Sequence, residues 1–279
     1  MRRPVWNLRV LAVLCALLVG LAQQTRAERA DDMAALFSAL DIEGTIAVMR
    51  DEGLAHGKDV GDDMLREAET LGWMTTVARI YDADRMLELV RTQMAQALDD
   101  TDLAPLLAFF RSERGQQVIR LELEARRAFM DADVEAAAKA RLEEGAADDA
   151  PLLDAIGIII DDSDLIEKNV TGALNSNLMF YRGLADGGAS DLGEQDILND
   201  VWAQEEDLRT DTVGWLNSFL MTAYAPLDAE VLDDYAALYR TPEGRALNRA
   251  MFMAFNRMYD ELSYLLGRAV AGQLESSPL

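Results

Sequence analysis

Few residues in this sequence combine the type and the spacing that catalysis requires. His56 is the only histidine, and it lies in the polar run His56-Gly57-Lys58-Asp59, which we interpret as a loop. A general base needs a partner residue and a pocket, and nothing in this run supplies either. Serine-hydrolase chemistry is not expected, because the sequence has no G-x-S-x-G motif and no second histidine. We therefore predict no catalytic residues.

Metal binding would depend on oxygen ligands. With a single histidine and a single cysteine in the chain, a zinc site is not expected. Calcium binds carboxylates, and two acidic clusters could supply them, although the first lacks the glycine and the final glutamate of an EF-hand. Helix capping and solvated charge explain both clusters more simply, so we predict no metal and no cofactor. The clusters are Asp161, Asp162, Ser163, Asp164 and Glu167, and Asp186, Asp191, Glu194 and Asp196.

The charge of the chain limits its partners. The formal net charge is −24 at pH 7, which repels nucleic-acid phosphates and anionic lipid surfaces. We therefore expect no nucleic-acid partner. A pair of carboxylates could still cleave a glycosidic bond, but the 50 acidic residues offer too many pairs for sequence to select one.

A stretch rich in methionine and aromatic residues near the C terminus is the candidate binding surface. Apolar residues occupy more than one side of the helix predicted there, and methionine-rich surfaces adapt to varied partners. A central helix packed on all sides would show the same pattern. An envelope protein, a peptide or an apolar ligand would fit such a surface. The candidate partner-binding residues are Met251, Phe252, Phe255, Met258 and Tyr259.

Helical spacing dominates the elements that would position these residues. Apolar residues recur at three- and four-residue intervals, and no stretch alternates apolar and polar residues as a half-buried strand does. Proline is scarce, with six in the chain, and residues that favour helices are common. These features predict an all-α protein.

The two halves of the chain resemble each other. A shift of 129 residues without gaps places Trp73 on Trp202, and Gly115 on Gly244. A constant offset of this kind indicates a tandem repeat. We therefore predict two tandem, pseudo-symmetric helical bundles built from helical hairpin repeats, each with about four or five helices. The first repeat is assigned to residues 28–147 and the second to residues 148–279.

The densest match between the halves predicts a corner between two helices. An arginine ends the first helix, where the helix dipole is negative, and a serine or threonine caps the next one. A proline suits the first helical position, and a glycine two positions later lets a neighbouring helix approach. The motif residues are Phe110, Arg111, Ser112 and Gly115 in the first copy, and Tyr239, Arg240, Thr241, Pro242 and Gly244 in the second.

These motif residues resemble the bacterial domain of unknown function 2059 family. The signature of that family is a helix that ends in an aromatic pair, followed by Ser-Pro-x-Gly and a second helix. The second copy matches it closely, with Thr241 in place of serine, whereas the first copy has Glu113 in place of proline. The resemblance implies a small helical module, usually exported, in two copies, and it implies no activity.

The N terminus predicts a secretory signal peptide at residues 1–27. Arginines precede an apolar stretch over residues 10–22, which is short of the ~20 residues that span a bilayer. Cleavage after Ala27, or alternatively after Ala22, would remove Cys15 and leave a mature chain without cysteine or a stable membrane span. The expected location is periplasmic or secreted.

Together these patterns favour a non-enzymatic, exported helical module that binds or interacts with a partner in the bacterial cell envelope. The motivation is a helical scaffold with an adaptable apolar surface and no catalytic set. The alternative is a carboxylate-dependent enzyme that acts on envelope glycan or lipid.

Overall fold

The computed structural model describes residues 27–66, 72–145, 149–190 and 193–275, and all regular structure within these ranges is helical. This confirms the predicted all-α class. Residues 1–26, which hold most of the predicted signal peptide, lie outside the described residues. None of the helices in the described ranges is both long and apolar enough to cross a membrane.

The helices follow one another through short connections. The first covers residues 27–39 and is called α1. The remaining helices are α2 (Ile42–Met64), α3 (Trp73–Ile80), α4 (Ala83–Ala97), α5 (Ala104–Phe110), α6 (Glu113–Ala128), α7 (Ala132–Glu144), α8 (Ala150–Ser163), α9 (Leu165–Asp186), α10 (Glu194–Trp202), α11 (Glu205–Tyr224), α12 (Ala229–Tyr239) and α13 (Pro242–Glu275).

The helices of the two predicted repeats share one core. α11 packs against α6 and α7, while the long helix α13 runs along α9 and also packs against α4 and α3. Buried residues of the first half, such as Met94 and Phe110, belong to the same hydrophobic cluster as Tyr224 and Met258 of the second half. The predicted boundary between residues 147 and 148 therefore separates two segments that bury apolar surface against each other.

The two corner motifs have the predicted local structure. Ser112 caps α6, because its Oγ accepts a hydrogen bond from the Gly115 amide at 3.1 Å. Thr241 Oγ1 accepts from the Gly244 amide at 3.0 Å, and α13 begins at Pro242, as the sequence predicts. Each glycine lies against the backbone of the preceding helix, which closes the corner tightly.

The tryptophans that the repeat aligns have different surroundings. Trp73 begins α3 and is 2% exposed, with its indole Nε1 donating to the carbonyl of Gly57 at 2.7 Å. Trp202 ends α10 and is 61% exposed. The two halves therefore have equivalent local structure at the corner motifs but not at Trp73 and Trp202.

The loop predicted around His56 is wrong, because the segment lies inside the long helix α2. Gly57 is buried there, and a Cβ at this position would come within 2.4 Å of Val77 Cγ1. The glycine thus provides a flat surface for α3, and this tertiary packing outweighs the low helix propensity of the polar run. His56 itself is exposed.

Candidate functional site

The candidate site is a cavity of about 380 Å³ between the two halves of the chain. Its walls come from α2 and α6 of the first half and from α9, α11, α12 and α13 of the second. Aromatic and aliphatic side chains form most of the lining, and a few polar groups interrupt it. Pockets that hold small molecules have this composition and start at about 300 Å³.

One face of α13 supplies much of the wall. Met251, Phe252, Phe255 and Tyr259 line the cavity and are half-buried. Four of the five candidate partner-binding residues therefore share one concave surface. The fifth, Met258, is 1% exposed and lies in the core. The reason is helical geometry, since Met258 follows the buried stripe of the helix and not the stripe that carries Phe255 and Tyr259.

A stacked pair of rings from α11 forms a second part of the wall. The ring centroids of Trp215 and Phe219 lie 4.8 Å apart with an interplanar angle of 6°. Phe129, from the end of α6, packs edge-on against both rings, at centroid distances of 6.2 Å and 5.6 Å. These contacts fix the orientation of both rings, because aromatic pairs prefer stacked or edge-to-face arrangements.

Among the described residues, Glu122 on α6 is the only acidic one that lines the cavity. Its Oε1 accepts hydrogen bonds from the hydroxyls of Tyr224, at 2.6 Å, and Tyr235, at 3.0 Å. The Tyr235 hydroxyl also lies 3.4 Å from that of Tyr239. Tyr235 and Tyr239 belong to α12, one helical turn apart, so α12 and α11 together hold a carboxyl group that α6 supplies.

Burial sets the protonation of this cluster. Removal from water raises the pKa of the Glu122 carboxyl above its ordinary value, and the two tyrosine hydroxyls oppose the shift because they stabilise the carboxylate. Burial and the nearby carboxylate raise the pKa of Tyr224 and Tyr235 well above the ordinary range. The tyrosines therefore stay protonated and act as donors to Glu122.

Arg126, whose positive charge is balanced by an ion pair, lies one helical turn from Glu122. Arg126 Nε and Nη2 each donate to one carboxylate oxygen of Glu52 at 2.8 Å, and Nη2 lies 3.3 Å from the Tyr259 hydroxyl. A two-point pair of this kind is strong and directional. Because Glu52 compensates the guanidinium, Arg126 adds little net charge to the cavity.

Two amides also belong to the polar lining. Asn169 Nδ2 donates to the carbonyl of Leu165 at 2.8 Å, which leaves its side-chain oxygen without a donor in the described part of the chain. The amide of Asn256 has no hydrogen-bond partner among the described residues. These groups can donate to a ligand or accept from it.

Sequence reasoning did not single out Glu122, although a signal for it was present. Gly115, Val118 and Ala125 are buried and recur at helical spacing along α6. Glu122 falls on that stripe, seven residues after Gly115, so a carboxylate stands where the pattern calls for an apolar side chain. An acid at a core position of an amphipathic helix is a reason to look for a polar site.

The two acidic clusters considered as calcium sites are spread over separate ion pairs and hydrogen bonds. Asp162 pairs with Arg240 at 2.7 Å, and Glu167 pairs with Arg209. Asp186 accepts a hydrogen bond from the Tyr264 hydroxyl at 2.9 Å. Within the described ranges, no group of three acidic, histidine or cysteine side chains is arranged to hold a metal ion. Asp191, a member of the second cluster, lies outside the described residues.

Replacement of Glu122 by glutamine is expected to stabilise the fold near neutral pH. Because the pKa of Glu122 is raised in the folded state, the folded chain keeps the proton to higher pH than the unfolded chain does. The free energy of unfolding of the native protein therefore decreases as pH rises from the ordinary pKa of a glutamate through the raised pKa of Glu122. Glu122→Gln has no carboxyl group at this position, so it does not show this decrease. Thermal melts should show a higher melting temperature for the variant at pH 7.5, and the two should converge toward pH 4.

The matched control for this prediction is Glu124→Gln, which changes an exposed residue of the same helix. Its melting temperature should follow that of the native protein at every pH. If Glu122→Gln melted below the native protein at pH 7.5, the hydrogen bonds from Tyr224 and Tyr235 would outweigh the cost of burying the charge.

One comparison with known proteins gives a match. The model of a family described as an uncharacterized protein conserved in bacteria (DUF2059) matches residues 84–144, from the first turn of α4 to the end of α7. The match confirms the family resemblance for a single copy, and it falls on the corner that contains Glu113 in place of proline. Glu122 and Arg126 lie within it. No curated protein and no solved structure matches the chain.

Proposed function

We propose that this protein is a non-enzymatic, exported binding module of the bacterial cell envelope, and that its cavity takes a small, largely apolar molecule. The single observation that carries the proposal is the cavity of about 380 Å³ with its aromatic lining and few polar groups. Ligand sites of small molecules combine an apolar wall with a small number of polar groups that fix orientation.

The shape of the surface favours a small molecule over a protein partner. Met251, Phe252 and Phe255 are half-buried and face the cavity together with residues of five other helices. A protein or helical peptide needs an apolar groove that is open along its length. A concave site with walls from several helices suits a compact ligand better.

A second candidate function is the carboxylate-dependent enzyme acting on envelope glycan or lipid. The observation in its favour is Glu122, because an acid whose pKa is raised by an apolar site is suited to general acid catalysis. Glycoside hydrolysis requires two such carboxyl groups that flank the bond. Glu122 is the only acid that the described part of the chain contributes to the lining, and Glu52 is engaged by Arg126. The binding function is therefore favoured.

Export and tandem architecture are further parts of the proposal. Export is supported by the arginines and the short apolar stretch in residues 1–27, and N-terminal sequencing of the protein recovered from the periplasm would test it. The tandem arrangement is supported by the two equivalent corners, where Ser112 and Thr241 cap in the same way.

Binding can be tested with N-phenyl-1-naphthylamine, an uncharged apolar fluorophore whose emission increases in apolar sites. We expect saturable enhancement with the native protein. Thr45 lines the cavity from α2, so Thr45→Phe should fill part of the space and weaken binding by about tenfold or more, which corresponds to ~1.4 kcal/mol. Fluorescence titration measures the dissociation constants of the native protein and of Thr45→Phe for the fluorophore.

The control for this titration is Thr75→Phe, which adds the same side chain at an exposed position of α3. It should bind the fluorophore as the native protein does. The proposal would be wrong if the native protein gave no saturable signal, or if a folded Thr45→Phe variant bound as tightly as the control.

A further inference from the structure

The charge of Glu122 is not balanced by a cation in the described lining of the cavity. Of the described residues in the lining, Glu122 is the only acid and Arg126 is the only base. Because Glu52 accepts two hydrogen bonds from Arg126, the arginine charge is compensated outside the cavity. When Glu122 is ionised, one negative charge therefore remains without a cationic partner among the residues that the structure describes. The whole chain, with its net charge of −24, adds a potential of the same sign.

The hydrogen bonds of Glu122 leave one of its oxygens for a ligand. Both tyrosine hydroxyls donate to Oε1. No described residue donates a hydrogen bond to Oε2. This oxygen is also not one of the polar atoms that are both fully buried and without a hydrogen-bond partner. This oxygen is therefore accessible from the cavity that Glu122 lines. The two donors hold the carboxyl group in a fixed orientation, as is expected for a group that contacts a ligand.

The walls around Glu122 suit a cation. Tyr235 and Tyr239 lie beside the carboxyl group, and Trp215 contributes the aromatic ring type that attracts cations most strongly. One ring of the wall already contacts a cation of the protein itself, since Lys168 Nζ lies 5.6 Å from the centroid of Phe252. A carboxylate and several aromatic rings that line the same cavity are the kinds of group by which proteins recognise ammonium groups.

We propose that the cavity binds an organic cation, in which an ammonium group is attached to an apolar body, and that Glu122 and the adjacent rings contact the ammonium group. This inference rests on the proposed binding function and adds the chemical class of the ligand. An anionic ligand would face the carboxylate of Glu122 and a compensated arginine, so the cavity disfavours it. The apolar body would lie against the faces of α13 and α11 that carry Phe255 and Phe219.

The test compares two molecules of nearly identical shape, phenyltrimethylammonium and tert-butylbenzene, which differ in charge. Trp215 lines the cavity, so its fluorescence reports on occupancy. We expect the native protein to bind the cation about tenfold or more tightly than the uncharged molecule. In Glu122→Gln this preference should disappear, because the variant carries no negative charge at this position. Glu124→Gln should keep the preference.

A measurement on the native protein alone makes the test independent of any variant. The carboxylate form of Glu122 is the one that attracts a cation. Affinity for phenyltrimethylammonium should therefore rise with pH from 4 to 8, whereas affinity for tert-butylbenzene should not rise. Burial raises the pKa of this carboxyl group, so the increase should extend above the range of an ordinary glutamate. The ionisable and charged groups that face Glu122 or lie beside it are Tyr224, Tyr235, Tyr239, Arg126, Glu52 and Tyr259.

The outcomes separate the two proposals. Equal affinity for the two molecules, or a preference that persists in Glu122→Gln, would overturn the assignment of a cationic ligand and leave the apolar binding site intact. Failure of the native protein to bind either molecule would overturn the proposed function and this inference together.

Discussion

Residues 28–147, expressed alone, are expected to remain unfolded or to form an aggregating, non-cooperative state. The physical reason is that the segment would lose the partners of its buried side chains. Phe129 packs against Trp215 and Phe219 of α11. Without the second half, these apolar surfaces would face water, at a cost of about 25 cal/mol per Å².

Polar contacts across the halves add to the expected loss. Glu122 would be left without both tyrosine donors, and Arg114 would lose its ion pairs with Glu230 and Asp234. The ion pairs are exposed and contribute little. The loss of apolar contacts is therefore the main reason why the fragment should not fold. Circular dichroism of the fragment should show no cooperative thermal transition.

The control is the chain from residue 28 to residue 279, which should melt cooperatively under the same conditions. A mixture of the 28–147 and 148–279 fragments should regain helical signal, because the missing surfaces complement each other. A sharp two-state transition from the first fragment alone would show that the halves fold independently, and it would contradict the shared core as the source of stability.

Alanine at either corner glycine is expected to destabilise the whole protein by ~3 kcal/mol. A Cβ at Gly115 would lie 2.2 Å from the carbonyl oxygen of Phe109, and a Cβ at Gly244 would lie 2.0 Å from that of Leu238. Both neighbours are backbone atoms, so no flexible side chain can move aside. The corner would have to open, and the packing of α6 and α13 against the core would suffer. The melting temperature should fall by about 10 °C.

Two other glycines provide matched controls for this prediction. Gly157 lies in α8 and Gly214 in α11, and a Cβ at either position meets no atom within 4 Å. Alanine there should stabilise the protein by about 0.5–1 kcal/mol, because glycine costs conformational entropy inside a helix. If Gly115→Ala and Gly244→Ala melted at the same temperature as these controls, the close approach at the corners would not be required for the fold.

The candidate site was predictable in part. The α13 residues Met251, Phe252 and Phe255 were recognised from their composition, because methionine and aromatic residues at helical spacing mark an apolar stripe wherever it packs. Composition could not distinguish the stripe that contains Met258, which lies in the core, from the stripe that lines the cavity. That distinction depends on which neighbouring helix covers each face.

Local chemistry was enough for the helical class and for the two corners of this protein. Hydrophobic periodicity, scarce proline, and a capping serine or threonine three residues before a glycine all act over one or two helical turns, so they can be read from sequence. Only the tertiary structure decided that α2 continues through His56, that both halves share a core, and that Glu122 meets Tyr224 and Tyr235 in a cavity. These features depend on contacts between residues about 20 to more than 100 positions apart, and no local pattern specifies which distant surfaces bury each other.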